Sequence, residues 1–378
     1  MIDLLIIQPT PFCNINCSYC YLKDRSNTSR ISVQTIEQIC DSAINDNLVG
    51  DSITVVWHAG EPLVVPPPYF RELVEAVNRK FHQKIKVDHS IQTNGTLITQ
   101  EWCDLIKEFD IKIGVSIDGP AFIHDKNRRT RSNKGTFDKV LEGISLLKEN
   151  DIKYHGIAVV SEYSLDYADE LFSFFHDNGF YHLGLNIEEM EGVNLTSSVF
   201  GNDLYEKAQL FYKRLFQLYI ESDSRMLIRE FDSALNSMLR FPEILDITKI
   251  QTKSHQNTPF AIITVDYLGN FSTFSPELIG QDAPQHDDFI FGNVYKDSFK
   301  KALAGKTLKK ISKEIKLGID KCRKECEFFN VCGGGAPANK FYENKSFNSA
   351  ETNYCKYNLK IPSSIVLEYL EEKFPVTA

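Results

Sequence analysis

The chain has little that would direct it to a membrane or to nucleic acid. The apolar run at its start, within MIDLLIIQPT, is too short to cross a bilayer and lacks the basic flank and cleavage site of a secretory signal. A basic excess is missing too: 51 acidic against 42 basic residues leave a net charge of −9, which disfavours nonspecific attraction to nucleic acid or anionic lipid. A basic peptide is a more congenial partner. Low-complexity tracts and internal repeats are absent, which excludes a solenoid and gives no sign of disorder. With 42% hydrophobic and 25% charged residues over 378 positions, the chain has the composition of a folded protein with room for two or three compact units. A cytoplasmic setting is expected.

What the chain does have is cysteine in clusters. Nine are spread unevenly: Cys13, Cys17 and Cys20 near the start, Cys322, Cys326, Cys332 and Cys355 near the end, and Cys40 and Cys103 alone. In a cytoplasmic chain such clustering points to metal or redox chemistry rather than disulfides. Cys40 and Cys103 each sit in an apolar helical pattern and read as small buried residues.

Between the clusters, helical and strand periodicities alternate. SVQTIEQICDSAINDN reads as a helix and DSITVVWHAGEPL as a buried strand ending in a turn, and four similar pairs follow, the last being DYADELFSFFHDNG and YHLGLNI. Six β/α units in succession imply an α/β fold whose parallel sheet closes partly into a (β/α)6 barrel. Its ligand site belongs at the carboxyl ends of the strands, where the turns HAGEP, QTNG, SIDGP and SEYS fall. The expected division is a barrel core over residues 1–197, a helical bridge without strands over 198–255 and a cysteine-bearing region over 256–378, opened by a hairpin around Leu268-Gly269-Asn270.

The first cluster, in PFCNINCSYCYL, has the spacing C-x3-C-x2-C. Three thiolates on one short loop suit three corners of a 4Fe-4S cluster, leaving the fourth iron open to a substrate or cofactor. Half of a zinc site is the alternative, although structural zinc takes four protein ligands and no C-x2-C or H-x3-H partner lies nearby. With Tyr19 before the last cysteine, the pattern resembles the radical S-adenosylmethionine (SAM) superfamily. The resemblance implies SAM held at the open iron, cleavage of its sulfonium by one electron from an external donor, and hydrogen abstraction from the substrate by a 5′-deoxyadenosyl radical.

Further stretches extend the resemblance. HAGEP resembles the superfamily's Gly-Gly-Glu-Pro, which receives the methionine amine; Ala59 replaces the first glycine while Gly60 and Glu61 are kept, so the SAM site is expected to survive. QTNG and SIDGP resemble the third and fourth strand ends, which implies that Gln92, Asn94, Ser116 and Asp118 lie about SAM or the substrate. Arg128, in HDKNRRTR, is a candidate for the SAM carboxylate, since a guanidinium fork matches that group, and Tyr19 is expected against the adenine. Taken singly, Asn94 and Asp118 equally suit helix caps and Arg128 a solvated surface. The elements carry the reading together, in order along the chain.

The tail, CRKECEFFNVCGGGAPANKFYENKSFNSAETNYC, places Cys322, Cys326, Cys332 and Cys355 at spacings of x3, x5 and x22. Four thiolates complete either an iron–sulfur cluster or a zinc site. The tail resembles the SPASM extension of radical SAM peptide-modifying enzymes, whose pattern is C-x2-C-x5-C-x3-C and a distant cysteine. Here the first gap is one residue longer and Ala336 stands at the x3 position; upstream, Phe274 stands where a G-x4-C element read from Gly269 would end in cysteine. Both halves of a second ligand set are absent together. The resemblance therefore implies a single auxiliary 4Fe-4S cluster on the four cysteines, serving electron transfer or structure. Gly333 to Gly335 are expected to permit close backbone approach to it; a phosphate loop is disfavoured because no Walker lysine or strand–helix context follows.

NFSTFSPELIG and VCGGGAPANKFYENKSFNSAETNYC look most like the cyclophane-forming, Grr-type peptide maturases. That resemblance implies a ribosomally made precursor peptide as substrate and a carbon–carbon link from an aromatic ring to the β-carbon of a nearby residue. Glu277, with Asp118 behind it, is the candidate catalytic base; a carboxylate at a helix start after Pro276 is the plainer alternative. The first strand is read from Ile2 or Asp3, which puts leader recognition on the barrel, the bridge or a separate partner. Two other readings stay open: a sulfatase-type maturase oxidising cysteine or serine to formylglycine, and an iron–sulfur electron carrier or redox sensor.

Overall fold

The computed structural model of the chain describes residues 1–81, 85–201, 204–222, 226–239 and 254–374. Six parallel strands pair in sequence order: β1 (Leu4–Ile7), β2 (Ser52–Trp57), β3 (Lys86–Thr93), β4 (Lys112–Ser116), β5 (Tyr154–Val160) and β6 (His182–Ile187). Between and after them run α1 (Val33–Asn45), α2 (Pro67–Phe81), α3 (Gln100–Glu108), α4 (Ala121–Asn127), α5 (Phe137–Glu149) and α6 (Ala168–Asp177). The alternation read from the sequence is thus the alternation observed, with α4 as an added short helix.

Local chemistry explains the elements. Ser32 caps α1 by accepting from the Thr35 backbone N–H, and Ile36, Ile39, Cys40 and Ala43 recur at helical spacing to form its buried face. In β2 the period is two: Ile53, Val55 and Trp57 are buried under the helices while Thr54 and Val56 face the barrel interior less fully enclosed. Trp57 meets Phe70 of α2 at 4.9 Å between ring centroids, and Phe70 meets Trp102 of α3 at 5.0 Å. Burying a side chain such as Phe70 contributes about 2 kcal/mol.

The sheet continues past both ends of the six-strand series, to ten strands ordered β10-β9-β8-β1-β2-β3-β4-β5-β6-β7. After α7 (Leu204–Glu221), the two-residue β7 (Leu227–Ile228) pairs with His182 and Leu183 of β6 and leads into α8 (Arg229–Leu239). The bridge was expected to be free of strands; two residues carry no readable periodicity, so β7 is visible only through its pairing. Residues 240–253 of the bridge lie outside the described residues. On the other side, β8 (Ile262–Val265) runs parallel to β1, and β9 (Asn270–Thr273) and β10 (Gly292–Asn293) follow antiparallel. The hairpin turns where expected: Asp266 Oδ1 accepts from the Leu268 and Asn270 backbone N–H groups, and Gly269 takes φ 84°.

The tail is helical. SFKKALAGKTLKKISKEI splits at Ala304-Gly305 into α9 (Phe299–Leu303) and α10 (Lys306–Glu325), and α11 (Phe329–Cys332), α12 (Pro337–Asn344) and α13 (Ile361–Lys373) follow. Phe216 of α7 packs edge-on against Tyr369 of α13 at 5.3 Å, returning the end of the chain to the bridge helices. Among the described residues no helix is long and apolar enough to cross a membrane.

Candidate active site

β1 delivers the chain into the loop that carries Cys13, Cys17 and Cys20. This loop is pinned to the segment after α4: Asn16 N–H donates to Arg129 O at 2.6 Å, Ser18 N–H to Asn127 O at 3.0 Å, and Arg131 Nε to Cys13 O at 3.1 Å. The three thiols, all free, line one cavity of about 320 Å³ at the carboxyl ends of the strands. Burial pushes the Cys13 thiol up to about 12 and the Cys17 thiol up to about 11, so metal binding here must displace protons. Cys40 and Cys103 are fully buried in α1 and α3, away from this cavity.

The turn after β2 closes over the loop. A Cβ on Gly60 would lie 2.5 Å from both Thr10 O and Phe12 O, so only glycine permits this approach. Ala59 beside it adopts φ 73°, a left-handed conformation that suits the glycine it replaces. Glu61 is buried, and its carboxylate accepts from Leu63 N, Thr93 Oγ1 and Asn94 N at 3.0, 2.6 and 2.7 Å. Burial raises its pKa to about 7 against the pull of those bonds. Asn94 Nδ2 donates to Asn14 Oδ1 at 2.9 Å and points at Cys13 Sγ at 3.8 Å, and Gln92 Nε2 donates to Ser116 Oγ at 2.8 Å. Gln92, Asn94, Ser116, Tyr19 and Arg128 all line the same cavity as the thiols.

Asp118 does not. It is 1% exposed and outside the cavity lining, and its two oxygens accept from Tyr19 Oη at 2.5 Å, Arg128 Nε at 3.0 Å and Val159 N at 2.9 Å. Its expected standing as a second base is corrected: the carboxylate is spent on holding Arg128 and Tyr19. Burial opposes the Arg128 charge, yet Asp118 beside it keeps the guanidinium pKa above its ordinary value. Nη1 of Arg128 is left pointing at Cys17 Sγ, 3.9 Å away, and the Tyr19 ring lies 5.5 Å beneath the guanidinium carbon.

Glu277 does reach the cavity, where it joins two carboxylates that sequence reasoning missed, Glu189 and Glu191. Pro276 to Gly280 form a turn rather than a helix, which removes the helix-start alternative for Glu277; Ser275 Oγ donates to its Oε2. Burial raises the pKa of all three carboxyls; repulsion from Glu189 adds to it at Glu191 and Glu277, while the hydrogen bond with Glu191 works against it at Glu189. Asn339 of α12 donates to Glu189 Oε2 at 2.5 Å and Glu191 Oε1 at 3.4 Å, and Tyr342 Oη to the Glu277 carbonyl at 3.0 Å. The signal available in the sequence was NIEEMEGVN, an acidic run immediately after β6 and so at a strand's carboxyl end.

The tail cysteines line a second cavity, of about 200 Å³. Cys322 lies in the last turn of α10, Cys326 caps that helix, Cys332 ends α11, and Cys355 opens a π-helical stretch, Cys355–Lys360. Gly333, Gly334 and Gly335 take φ 67°, 108° and 76°, a run of left-handed backbone that turns the Gly334 N–H onto Cys332 Sγ at 3.4 Å. Ala336, at the position of the missing cysteine, lines the same cavity. Among the described residues no three His, Cys, Asp or Glu side chains are gathered as ligands of a single metal ion. Thiolates at about 2.3 Å from one zinc would close such a space; the two cavities, lined by three thiols in the first and four in the second, have room for a larger inorganic group.

The family model of the radical SAM superfamily matches residues 7–175. The chain is 41% identical to an uncharacterized protein of Synechocystis sp. over 98% of its own length and 92% of the other's. It is 26% identical to a serine-type anaerobic sulfatase-maturating enzyme of Bacteroides thetaiotaomicron, over 87% and 81% of the two chains. Native anSMEcpe with bound AdoMet and Cp18Cys peptide shares its fold at a TM-score of 0.77 and 22% identity, covering 99% of this chain and 98% of that one. SuiB of Streptococcus suis bound to precursor peptide SuiA does so at 0.64 and 17% identity, covering 94% and 76%. The chain belongs to the radical SAM superfamily and is an enzyme that binds SAM and a 4Fe-4S cluster.

Proposed function

We propose that this enzyme modifies a ribosomally made precursor peptide, joining an aromatic ring to the β-carbon of a nearby residue in a cyclophane link. The observation that carries the reading is the first cavity: three free thiols share one space with a half-buried carboxylate, Glu277, that can take up a proton. The peptide-bound structures of SuiB and anSMEcpe support a peptide as the substrate. The cytoplasm suits such chemistry because thiols stay reduced there.

In this reading Cys13, Cys17 and Cys20 hold the cluster that binds SAM, and Cys322, Cys326, Cys332 and Cys355 hold an auxiliary 4Fe-4S cluster. When bound, the cluster and SAM would supply, with one electron from an external donor, the radical chemistry that takes a hydrogen atom from the substrate. The protein's own residues bind and orient. The backbone around Gly60, with Glu61 beside it, would receive the methionine amine, Arg128, steadied by Asp118, would face the carboxylate, and Gln92, Asn94, Ser116 and Tyr19 line the remaining wall. Forming the link removes two hydrogens in all: one as a hydrogen atom, the other as a proton and an electron. Glu277 accepts the proton, and the low polarity that raises its pKa makes it a stronger base once ionised.

Glu277→Gln is expected to leave 5′-deoxyadenosine formation intact while abolishing crosslinked product in anaerobic assays; equal product from the variant would remove Glu277 from this role. A second reading, formylglycine formation, is favoured by the identity to the sulfatase-maturating enzyme. Mass spectrometry of a co-expressed precursor separates the two. A loss of two hydrogens that resists aldehyde reagents marks the crosslink, and a product captured by them marks formylglycine.

A further inference from the structure

Lys340 is a buried cation that meets a thiol. It lies on α12 at 4% exposure, lines the tail cavity, and donates from Nζ to Cys322 Sγ at 3.3 Å. Among the described residues no ion pair joins it to an acid, whereas Lys360, on the same cavity, pairs with Glu351 at 2.6 Å. The surroundings are shaped to admit it. Gly318 of α10, one turn before Cys322, lets the Phe347 and Ser349 carbonyls approach, since a Cβ there would lie 2.2 and 2.9 Å from them, and it leaves Lys340 Nζ in close contact as well, at 3.3 Å. One residue before Lys340 on α12, Asn339 is tied to Glu189 and Glu191 of the first cavity, so α12 is held from both cavities and Lys340 with it.

An ammonium in a dry interior requires a nearby negative charge. Of the acids on this cavity, Glu351 pairs with Lys360, and among the described residues no ion pair joins Glu325 to Lys340, so the group that faces the ammonium is the sulfur of Cys322. Four thiolates around a 4Fe-4S core leave a net negative charge that grows by one on reduction, and net charge and hydrogen bonds to sulfur are what set the potential of such a core. We propose that Lys340 is a positioning residue for the auxiliary cluster: a fixed countercation on Cys322 that stabilises the reduced form and raises its potential, fitting it to receive the electron that crosslinking releases. The inference rests on the reading that the four tail cysteines hold a 4Fe-4S cluster.

The test uses the full chain with Cys13, Cys17 and Cys20 changed to alanine, so that only the tail can carry iron, reconstituted anaerobically and titrated potentiometrically with electron paramagnetic resonance as the readout. About four irons per chain are expected; zinc alone would overturn the cluster reading, and the proposal with it, before any potential is measured. With iron loaded, Lys340→Met is expected to shift the one-electron equilibrium toward the oxidised form at least tenfold, about 59 mV to lower potential. Lys340→Arg is expected to restore most of it. An unchanged potential in fully loaded Lys340→Met overturns the role of Lys340 while leaving the cluster assignment standing. Where Lys340→Met does not load, Lys340→Gln, which keeps a donor without the charge, decides by the same criterion.

Discussion

The Ala59-Gly60 turn combines two left-handed residues, of which only Gly60 is relieved of a Cβ. A left-handed alanine costs about 1–2 kcal/mol, so Ala59→Gly is expected to stabilise the protein by about 1 kcal/mol in denaturant unfolding. Gly60→Ala is expected to displace the Thr10 and Phe12 carbonyls and abolish SAM binding, read by calorimetry. Strain of this kind gathers at functional sites, where the surrounding bonds over-determine the backbone. Asp118 illustrates a different dependence. Its side chain is 1% exposed and that of its partner Arg128 is 8% exposed, so Asp118→Asn strands a buried guanidinium and is expected to cost about 3–5 kcal/mol in urea unfolding. A loss under 1 kcal/mol would show that the pair is not what holds Arg128 in place.

Among the elements, the turn after β6 decides the polarity of the cavity. Glu189 and Glu191 arrive on it and Glu277 on the turn after β9, each with its pKa raised by burial. A carboxyl that keeps its proton to higher pH when folded than when unfolded stabilises the fold fully only below the ordinary glutamate value of about 4.3, and that contribution is lost as pH rises through the raised value. Thermal melts of metal-free protein from about pH 5 to pH 8 are therefore expected to fall less steeply in Glu191→Gln than in the wild type. Equal slopes would show that Glu191 meets water. The strand-end turns were legible because glycine and polar residues follow apolar runs at HAGEP, QTNG and SIDGP. The acids of NIEEMEGVN were not, because a run of charges ordinarily marks a solvated face and only the bonds from Asn339 to Glu189 and Glu191 show otherwise. That seven of the cysteines gather in two sets could be read from their spacing; that Asp118 stands behind the cavity wall could not, since its partners Tyr19 and Val159 are distant in sequence.

Across the whole molecule, one sheet and one helix join the two thiol cavities. β8 of the hairpin lies beside β1, which feeds the first cysteine loop, so the residues after 256 extend the barrel sheet. Asn339 and Lys340, consecutive on α12, then contact the carboxylates of one cavity and the thiol of the other. This coupling depends on tertiary contacts that no periodicity records, although the six β/α units it acts on were plain in the sequence. The claim on which the rest depends is that the Cys13, Cys17 and Cys20 site leaves an iron open for SAM. With the four tail cysteines changed to alanine, the anaerobically reconstituted and reduced protein is expected to give a 4Fe-4S electron paramagnetic resonance signal whose g-values change when SAM is added. A signal indifferent to SAM, or a site that takes up zinc and no iron, would contradict it.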